Sequence, residues 1–503
     1  MNTCRMVKSN EPLWFLVAAA LLILLGAAIR VLTISDTLPF IRHPDEIGNL
    51  EVVQNMLRTG TANPHMFVYP PFFFYLLVPS QLLIQLASGK LIPFVWQSLG
   101  TAYTSQPEAF VAARLTIVAL GVGIVVSTMM VAKELGQKHW SILLVGALTV
   151  FNPLLVAHSR FIAPDTPAGL FATLALLGAI RILTVGSTSS YVFAGIMSGL
   201  AASSKYNAGM VAISIITSHF MAHRFAGSRL YLLILAGLVS MTTLVLTSPF
   251  LILDFHNAIA SFLRTIRLYR EGHPGYEGNT VVTNLTWLWN AFGASLLLAP
   301  LPAICAKSRR SVLPVAVFVV AYFLLISIQF VRFERNLLPI IPAIIILIGI
   351  ALESIQVILS KRVENFWYPV AASIMVFFLV TSFNRTVFDK AQRTAQRDAY
   401  HAVHNWIGQN IAPGASIMLD SYSPFIDPKL YAVTREVFVL KQPISSVVSK
   451  SVVVVSKQGS GRFLHASNST EHEIFDKIET LACQRQEFES AGVIVFWVFV
   501  FKC

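Results

Sequence analysis

The sequence has little charge. Asp, Glu, Lys and Arg together make up 12% of its 503 residues, whereas hydrophobic residues make up 55%. This balance excludes a soluble protein folded around one core, and a mean hydropathy of +0.67 indicates a polytopic membrane protein. The 37 basic residues outnumber the 25 acidic ones. Loop cations that set membrane topology explain this excess better than nucleic-acid binding does, so no nucleic-acid partner is expected.

Cysteine is also scarce. The four cysteines, Cys4, Cys305, Cys483 and Cys503, have neither metal-binding nor redox spacing. Only Cys483 and Cys503 could share a compartment within a folded domain, so a disulfide between them is possible. The chain also lacks any visible internal repeat, which counts weakly against transporters built from inverted repeats.

Long apolar runs are what the sequence has in abundance. About 20 apolar residues cross the hydrocarbon core as a helix, because lipid tolerates no unpaired backbone. The first run is interpreted as a retained signal anchor. The stretch from Tyr69 to about Trp96 must cross an even number of times, either none as an interfacial hairpin or twice, which gives 11 or 13 spans. The predicted spans are 12–34, 107–132, 140–157, 167–185, 190–204, 207–222, 230–252, 285–305, 311–330, 336–357 and 366–383.

Loop charges predict the orientation. Clusters around Lys133, Arg229, Arg309 and Lys361 place those loops in the cytoplasm by the positive-inside rule. Alternation then puts most of the unusual polar residues outside. The predicted outer segments are the loop 35–68, the loop with Asp165, the turn with Lys205, the loop 254–284, the turn 332–335 and the tail. We therefore expect a multi-pass protein of the plasma (inner) membrane with an extracytoplasmic active face.

Two segments outside the spans have their own patterns. Arg264, Arg267 and Arg270 recur every three residues in 257–271, which predicts an amphipathic interfacial helix facing lipid phosphates. After residue 383 the apolar runs become short and rich in β-branched residues. The predicted organisation is a membrane domain, 1–383, and a small extracytoplasmic α/β domain, 384–503. Its predicted strands are 416–419, 437–440, 452–455 and 493–501, and its predicted helices are 395–409 and 471–481.

Several short motifs occur in order along the predicted outer face. They are Asp45-Glu46 after the first span, Tyr69-Pro70-Pro71, Arg114, Asp165 in Arg160-Phe-Ile-Ala-Pro-Asp-Thr166, Lys205 in Gly199-Leu-Ala-Ala-Ser-Ser-Lys-Tyr206, and Arg335-Asn-Leu-Leu-Pro-Ile-Ile-Pro342. Together they resemble the GT-C glycosyltransferases of the protein O-mannosyltransferase and aminoarabinose transferase type. The resemblance covers about residues 12–383. It implies an enzyme that takes a sugar from a polyprenyl-phosphate carrier and passes it to an acceptor on the outer face.

The acidic residues fit such chemistry. Glycosyl transfer to a hydroxyl needs a base near the incoming oxygen. The resemblance places a catalytic aspartate at Asp45, where desolvation at the membrane interface can raise a carboxylate pKa. Glu46 is expected to orient the acceptor or tune its neighbour. Asp165 is the second catalytic acid that the resemblance implies, either positioning the acceptor or sharing charge with an arginine such as Arg114. The simpler interpretations are helix N-terminal charges for the pair and an N-cap for Asp165.

Cations near the departing phosphate are the second requirement. Lys205, Arg335 and Arg114 are the candidates, with Tyr69 and His273 completing the predicted substrate-binding set. Lys205 could instead snorkel to the interface, and Arg335 could pair with Glu334. The implied partners are a polyprenyl-phosphate sugar donor, a lipid, glycan or protein acceptor, and membrane lipids.

No cofactor or metal site is predicted. Some relatives carry a Glu-Lys pair before their two prolines, but this sequence has Val68-Tyr69 there, which makes a divalent metal doubtful. Two other functions stay open: a transporter or flippase of lipid-linked sugars, and a non-catalytic envelope assembly protein. A transporter should carry its ionisable residues in mid-span, whereas these lie at span ends. A scaffold would tolerate Asp45→Asn.

Overall fold

Two parts make up the described chain: a bundle of apolar helices and a five-stranded sheet flanked by helices. The computed structural model describes residues 11–41, 43–89, 94–98, 101–223, 229–272, 278–305, 309–360, 394–465 and 469–503. Within these ranges, seven helical segments are at least 18 residues long and apolar enough to cross a membrane. The predicted span 366–383 and the predicted boundary at residue 383 lie outside the described residues.

The first half of the bundle contains a small sheet as well as helices. Its elements are α1 (Leu13–Val31), β1 (Phe40–Ile41), α2 (Pro44–Thr59), α3 (Pro71–Ser88), β2 (Phe94–Ser98), β3 (Thr101–Thr104), α4 (Pro107–Glu134), α5 (His139–Phe151), α6 (Pro153–His158), α7 (Asp165–Thr184) and α8 (Thr188–Ser204). Helices occur at each of the predicted spans of this half, and α1, α4 and α7 are long and apolar enough to cross a membrane. The run 140–157 divides into α5 and α6 because Pro153 cannot continue the helical hydrogen bonding.

In the described residues of the second half, three segments are 3₁₀ helices: Tyr206–Val211, Gly293–Leu298 and Glu334–Ile340. Its helices are α9 (Ala212–His223), α10 (Leu230–Thr247), α11 (Phe250–Leu253), α12 (Phe255–Glu271), α13 (Thr280–Phe292), α14 (Leu301–Cys305), α15 (Arg309–Ser327) and α16 (Ile341–Ser360). The amphipathic segment predicted at 257–271 is α12, and its apolar residues Phe255 and Leu263 are exposed alongside its arginines.

Polar contacts mark the end of the bundle opposite to Asp45. Lys133, at the end of α4, pairs with Glu11 at 2.8 Å, just before α1. Arg181, at the end of α7, lies 3.3 Å from Glu134. The Lys138 backbone N–H donates to Glu353 of α16 at 3.1 Å. These helix ends therefore meet in one layer, as the alternation of predicted spans requires.

Small residues let three helices approach closely. A Cβ added at Gly178 of α7 would meet the Ala194 Cα of α8 at 2.7 Å. One added at Gly199 of α8 would meet the Ser240 carbonyl of α10 at 2.5 Å. Close packing of this kind replaces the hydrophobic effect as the source of helix association in lipid. It fixes the position of the last turn of α8, which precedes Lys205.

The apolar stretch 69–96 contains one helix rather than two. Tyr69, before α3, hydrogen bonds to Asp45, and Gln81 in mid-helix donates to the Ala109 carbonyl in the first turn of α4 at 3.1 Å. After α3, β2 pairs with β3, and β3 pairs with β1 just beyond α1. The residue before α3, the middle of α3 and the strands after it thus contact the segment from β1 to α2 or the first turn of α4. α3 is also one of the seven helices long and apolar enough to cross a membrane, so the number of crossings in this stretch stays a prediction.

The carboxyl-terminal part is the small α/β unit that composition predicted. Its helices are α17 (394–410), α18 (Ile444–Val448) and α19 (Thr470–Leu481), with 3₁₀ segments Val439–Lys441 and Ser460–His465. Its strands are β4 (Ser416–Leu419), β5 (Ala432–Arg435), β6 (Val452–Ser456), β7 (Gln484–Ser490) and β8 (Val493–Val500). The sheet order is β5-β4-β6-β8-β7, with β5, β4 and β6 parallel and the remaining pairs antiparallel.

One predicted strand is wrong, and two strands, β5 and β7, were missed. Residues 437–440 do not form a strand, because Val439 and Leu440 are buried in a 3₁₀ turn and Pro443 follows. The strand position is taken by β5, whose burial is mixed because it lies at the sheet edge. The strand β7 was missed because Phe488 is its only apolar residue. Cys483 and Cys503 form the possible disulfide, closing the β7–β8 hairpin.

Candidate active site

The two acids of the Asp45-Glu46 dipeptide lie in the first turn of α2 and point to different places. Pro44 at the first helical position starts the helix, since its missing N–H needs no partner there. Successive residues of an α-helix are about 100° apart around its axis, so the side chains of Asp45 and Glu46 leave the helix in different directions. The Asp45 side chain is 18% exposed, whereas that of Glu46 is 0% exposed.

Glu46 pairs with Arg114 inside the bundle, and we call these two residues the anchor pair. Arg114 donates from Nε and Nη2 to the two carboxylate oxygens, each at 2.8 Å. Oε1 also accepts from the Ile162 backbone N–H at 3.1 Å. Arg114 donates further to the Ile34 carbonyl at 2.6 Å. The anchor pair thereby ties α2 and α4 to the chain segment after α1 and to the segment before α7.

Asp45 belongs to a second group of charges, which we call the site cluster: Asp45, Asp165, Lys205 and Arg335. Arg335 Nη2 lies 3.0 Å from Asp45 Oδ2, and Arg335 Nε lies 3.9 Å from Asp165 Oδ2. Lys205 Nζ donates to Asp165 Oδ1 at 2.7 Å and to Asn336 Oδ1 at 2.8 Å. Two carboxylates and two cations from four separate segments therefore meet at one place.

The environment of Asp165 corrects two expectations. Asp165 is the first residue of α7 rather than its N-cap, and its Oδ1 accepts from Lys205 instead of capping the helix. Its charge is shared with Lys205 and Arg335, whereas Arg114 belongs to the anchor pair. The second oxygen, Oδ2, is buried and accepts no hydrogen bond from the described part of the chain.

Neighbouring groups determine the ionisation of Asp45. Burial raises the pKa of this carboxyl, but Arg335, His43 and the hydrogen bond from the Tyr69 hydroxyl at 2.8 Å together lower it below the ordinary value. The expectation that desolvation would raise the Asp45 pKa was therefore wrong, because it left out the cation. Burial followed by the charge of Asp45 holds the pKa of Tyr69 well above its ordinary value, so this hydroxyl stays a donor.

His43 completes the surroundings of Asp45. Burial lowers the pKa of its imidazole to about 4, so the ring is neutral at neutral pH. Arg335 Nη1 lies 3.1 Å from His43 Nε2, and an arginine can only donate, so Nε2 is the unprotonated nitrogen. The ring also stacks on Phe161 with centroids 4.6 Å apart. His43 thus accepts a hydrogen bond from Arg335 and helps to hold its guanidinium beside Asp45.

A cavity of about 250 Å³ opens next to the site cluster. Tyr69 and Lys205 line it on one side, and Phe262, Ile266 and Arg270 of α12 line it on the other. The lining is mainly apolar. Arg270 has no ion-pair partner among the described residues, so its charge is available at the cavity. The arrangement can accommodate an apolar chain together with an anionic group near Lys205.

The remaining predicted residues have mixed outcomes. His273 lies outside the described residues. The alternative pairing of Arg335 with Glu334 is not formed, because Glu334 lies 3.3 Å from His158 instead. Asn336 was not predicted as a site residue, although it directly follows Arg335 in the motif that ends at Pro342. Across the described ranges, no group of three or more His, Cys, Asp or Glu side chains is arranged to hold a metal ion.

Comparisons with known proteins show what the fold of this chain is similar to. The family described as dolichyl-phosphate-mannose-protein mannosyltransferase matches residues 61–223. ArnT from Cupriavidus metallidurans, bound to undecaprenyl phosphate, is structurally similar with a TM-score of 0.55 and 15% identity, over 95% of this chain and 97% of that chain. The apo oligosaccharyltransferase of Archaeoglobus fulgidus gives a TM-score of 0.52 and 12% identity, over 93% of this chain and 69% of that chain. The chain has the GT-C fold.

The resemblance and the fold class predicted from the motifs are thus confirmed. A search of curated proteins by sequence finds no match. The matched range of the mannosyltransferase family includes Tyr69, Arg114, Asp165 and Lys205, but it ends before Arg335 and begins after Asp45. In the structure, Asp45 and Arg335 nevertheless lie beside Asp165 and Lys205, two of the matched residues.

Proposed function

We propose that this protein transfers a glycosyl group from a polyprenyl-phosphate donor to an acceptor hydroxyl at the extracytoplasmic face of the membrane. One observation carries the proposal: Asp45 and Asp165 lie on either side of Arg335, beside a cavity that Tyr69 and Lys205 line. Two carboxylates near paired cations suit a reaction that activates a hydroxyl and releases a phosphate. The acceptor class, whether lipid, glycan or protein, stays open.

In the proposed reaction the acceptor oxygen attacks the anomeric carbon of the donor sugar. The bond between that carbon and the phosphate oxygen breaks, and polyprenyl phosphate leaves with the electron pair. The acceptor proton passes to Asp45. The acceptor hydroxyl becomes strongly acidic as its oxygen forms the bond to the anomeric carbon. A carboxylate with a lowered pKa, such as Asp45, can therefore still accept its proton.

The departing phosphate is assigned to Lys205 and Arg270. An ammonium group has three N–H donors, and Lys205 uses two of them for Asp165 and Asn336. The third is available to an oxygen in the cavity. Arg270 lines the same cavity and adds a second positive charge. Arg335 lies between the two acids, where its charge lowers the pKa of the Asp45 carboxyl.

The apolar wall of the cavity is assigned to the isoprenoid part of the donor. Phe262 and Ile266 line it from α12, whose other apolar residues, such as Leu263, are exposed as expected for a helix in contact with lipid. A carrier lipid could then approach along α12 with its phosphate near Arg270. The positive-inside rule supports an extracytoplasmic position for this side of the molecule.

The anchor pair is given a supporting role. Both side chains are buried, and both Glu46 oxygens already accept hydrogen bonds. A carboxylate that is fully buried and accepts three hydrogen bonds from the protein is poorly suited to contact substrate. Glu46 and Arg114 are therefore proposed to hold the first turn of α2, and with it Asp45, against the bundle.

The proposal can be tested with purified protein and a panel of polyprenyl-phosphate sugars. The measurement is protein-dependent release of polyprenyl phosphate in the presence of lipid, glycan and peptide acceptors. Release with at least one donor is expected. If no donor is cleaved, but lipid-linked sugar crosses a vesicle bilayer faster with the protein than without it, the transporter alternative replaces the transferase. No cleavage and no movement would favour an assembly protein.

A further inference from the structure

The two residues of β1 lie just before the Asp45 turn and connect the two parts of the molecule. Phe40 is 1% exposed and Ile41 is fully buried. Successive side chains of a strand point to opposite faces, so these two residues pack in opposite directions. This separation places them in different hydrophobic cores.

Phe40 packs into the core of the carboxyl-terminal domain. Its ring centroid lies 5.6 Å from that of Tyr400 and 4.8 Å from that of His401, both on α17. It also contacts Tyr103 of β3 at 5.7 Å, and Tyr103 stacks on Phe425 at 4.7 Å. Phe40 belongs to the same buried cluster as the residues of β4, β6 and β8 that face α17.

Ile41 packs in the opposite direction, into the core beneath the site. Its cluster includes Ile47 of α2, Phe110 of α4 and Ile162. The Ile162 backbone N–H donates to Glu46, so this core and the anchor pair hold the same turn. His43 and Asp45 follow Ile41 directly and lie between Ile41 and Ile47, two residues of this core.

We propose that Phe40 is a positioning residue, through which the carboxyl-terminal domain holds the turn that bears His43 and Asp45 in register with Arg335. This inference rests on the proposed role of Asp45. The anchor pair fixes the turn from the membrane side, and Phe40 fixes it from the other side. Loss of the ring leaves β1 held on one side only, and His43 and Asp45 gain freedom relative to Arg335.

The expected consequence is a loss of turnover rather than of binding. A displacement of about 1 Å at reacting groups can cost on the order of 10²-fold in rate. Phe40→Ala should therefore lower kcat by about 10- to 100-fold, while KM for the donor changes little, because Lys205 and Arg270 are not attached to β1. Phe40→Leu keeps most of the apolar volume and should recover much of the rate.

The test compares Phe40→Ala with Phe475→Ala in the full-length protein. Phe475, on α19, is buried against the opposite face of the same sheet and packs on Trp497 and Phe499. Both variants remove a buried ring from a core of the carboxyl-terminal domain, but only Phe40 is joined through Ile41 to the Asp45 turn. The measurements are kcat, KM and hydrogen exchange of peptides covering residues 43–50. Phe40→Ala should lower kcat and speed this exchange, and Phe475→Ala should leave both near wild type.

Wild-type kcat and exchange in Phe40→Ala would overturn the inference. Equal changes in Phe475→Ala would also overturn it, since they would show general destabilisation of the domain. If Phe40→Ala does not yield folded protein, Phe40→Leu replaces it, with the same direction of change and a smaller size. The exchange measurement needs no activity. It therefore separates failure of this coupling from failure of the proposed transferase function.

Discussion

The anchor pair and the site cluster lie next to each other in the structure, yet their polar atoms are used differently. In the anchor pair, each Glu46 oxygen accepts from Arg114, and the pair is closed off from solvent. In the site cluster, Asp165 Oδ2 accepts no hydrogen bond from the described chain, and Lys205 retains one donor. Hydrogen-bond donors and acceptors that have no partner in the described chain are available to a substrate.

This difference separates stability from function. Breaking a buried ion pair costs much free energy, and a pair that is closed off from solvent is not accessible to a ligand. A partly open cluster costs desolvation energy and is retained where it contacts something else. We therefore expect substitutions in the anchor pair to change folding first and substitutions in the site cluster to change transfer first.

Breaking the anchor pair should have the largest effect on the folded state. Glu46→Gln leaves Arg114 buried without its counter-charge, which typically costs about 3–5 kcal/mol. We expect a large fall in the yield of folded protein and in the thermal unfolding temperature measured in detergent. Glu51→Gln, an exposed change on the same helix, is the matched control and should stay at wild-type stability. Equal stability of the two variants would remove the distinction between the two groups.

Neutralising the second acid together with its lysine should separate the two properties. Lys205→Met alone leaves Asp165 buried beside a single, more distant cation, Arg335. The double variant Asp165→Asn/Lys205→Met restores neutrality, so its unfolding temperature should return toward wild type. Sugar transfer should stay reduced on the order of 10²-fold, because the phosphate loses a cation. Recovery of transfer along with stability would show that this pair is structural.

The pH profile should reflect the ionisation of Asp45. Arg335 and His43 hold its pKa below the ordinary 3.8, and a base acts in its deprotonated form. Between pH 7 and pH 5 the carboxylate stays ionised, so kcat/KM should not fall through this group. Arg335→Gln removes the main stabilising cation, raises the Asp45 pKa and should move the acid limb of its residual activity to higher pH. The profiles can be compared in the same detergent, and an identical limb in both proteins would contradict the account.

The arginines of α12 should show the smallest effect. Arg270 lines the cavity, whereas Arg264 is an exposed arginine that is not part of the lining. Arg270→Gln should raise the donor KM by about tenfold, the size of one lost charge-assisted contact of about 1.4 kcal/mol, with unchanged thermal stability. Arg264→Gln should leave the donor KM near wild type. Equal effects would indicate general attraction to anionic lipid rather than a specific contact.

Much of the fold could be predicted from the sequence, because spanning lipid requires long apolar helices. The runs that became α4, α7 and α8 needed no other information. The small sheet of β1, β2 and β3 was missed, since pairing of Phe40 with Tyr103 joins positions far apart in the chain. The strand β5 was missed for another reason: an edge strand with mixed burial has no clear apolar pattern.

The residues of the site could be predicted from the sequence. Which of them form ion pairs with each other could not. Outer-face charge and motif order brought forward Asp45, Asp165, Lys205 and Arg335, and the structure places them in one cluster. The partner of Arg114 could not be inferred, because Glu46 is 68 positions away and Asp165 was an equally reasonable choice. The direction of the Asp45 pKa also depended on that missing geometry.

The most direct test of the account is the rate of polyprenyl phosphate release by Asp45→Asn at saturating donor and acceptor. The substitution keeps the size of the side chain and removes only its charge and its ability to take a proton. A general base typically contributes 10²- to 10⁴-fold. We expect release to fall on the order of 10³-fold, with donor affinity and unfolding temperature close to wild type. Release at a near-normal rate by this variant would contradict the assignment of Asp45 as the base.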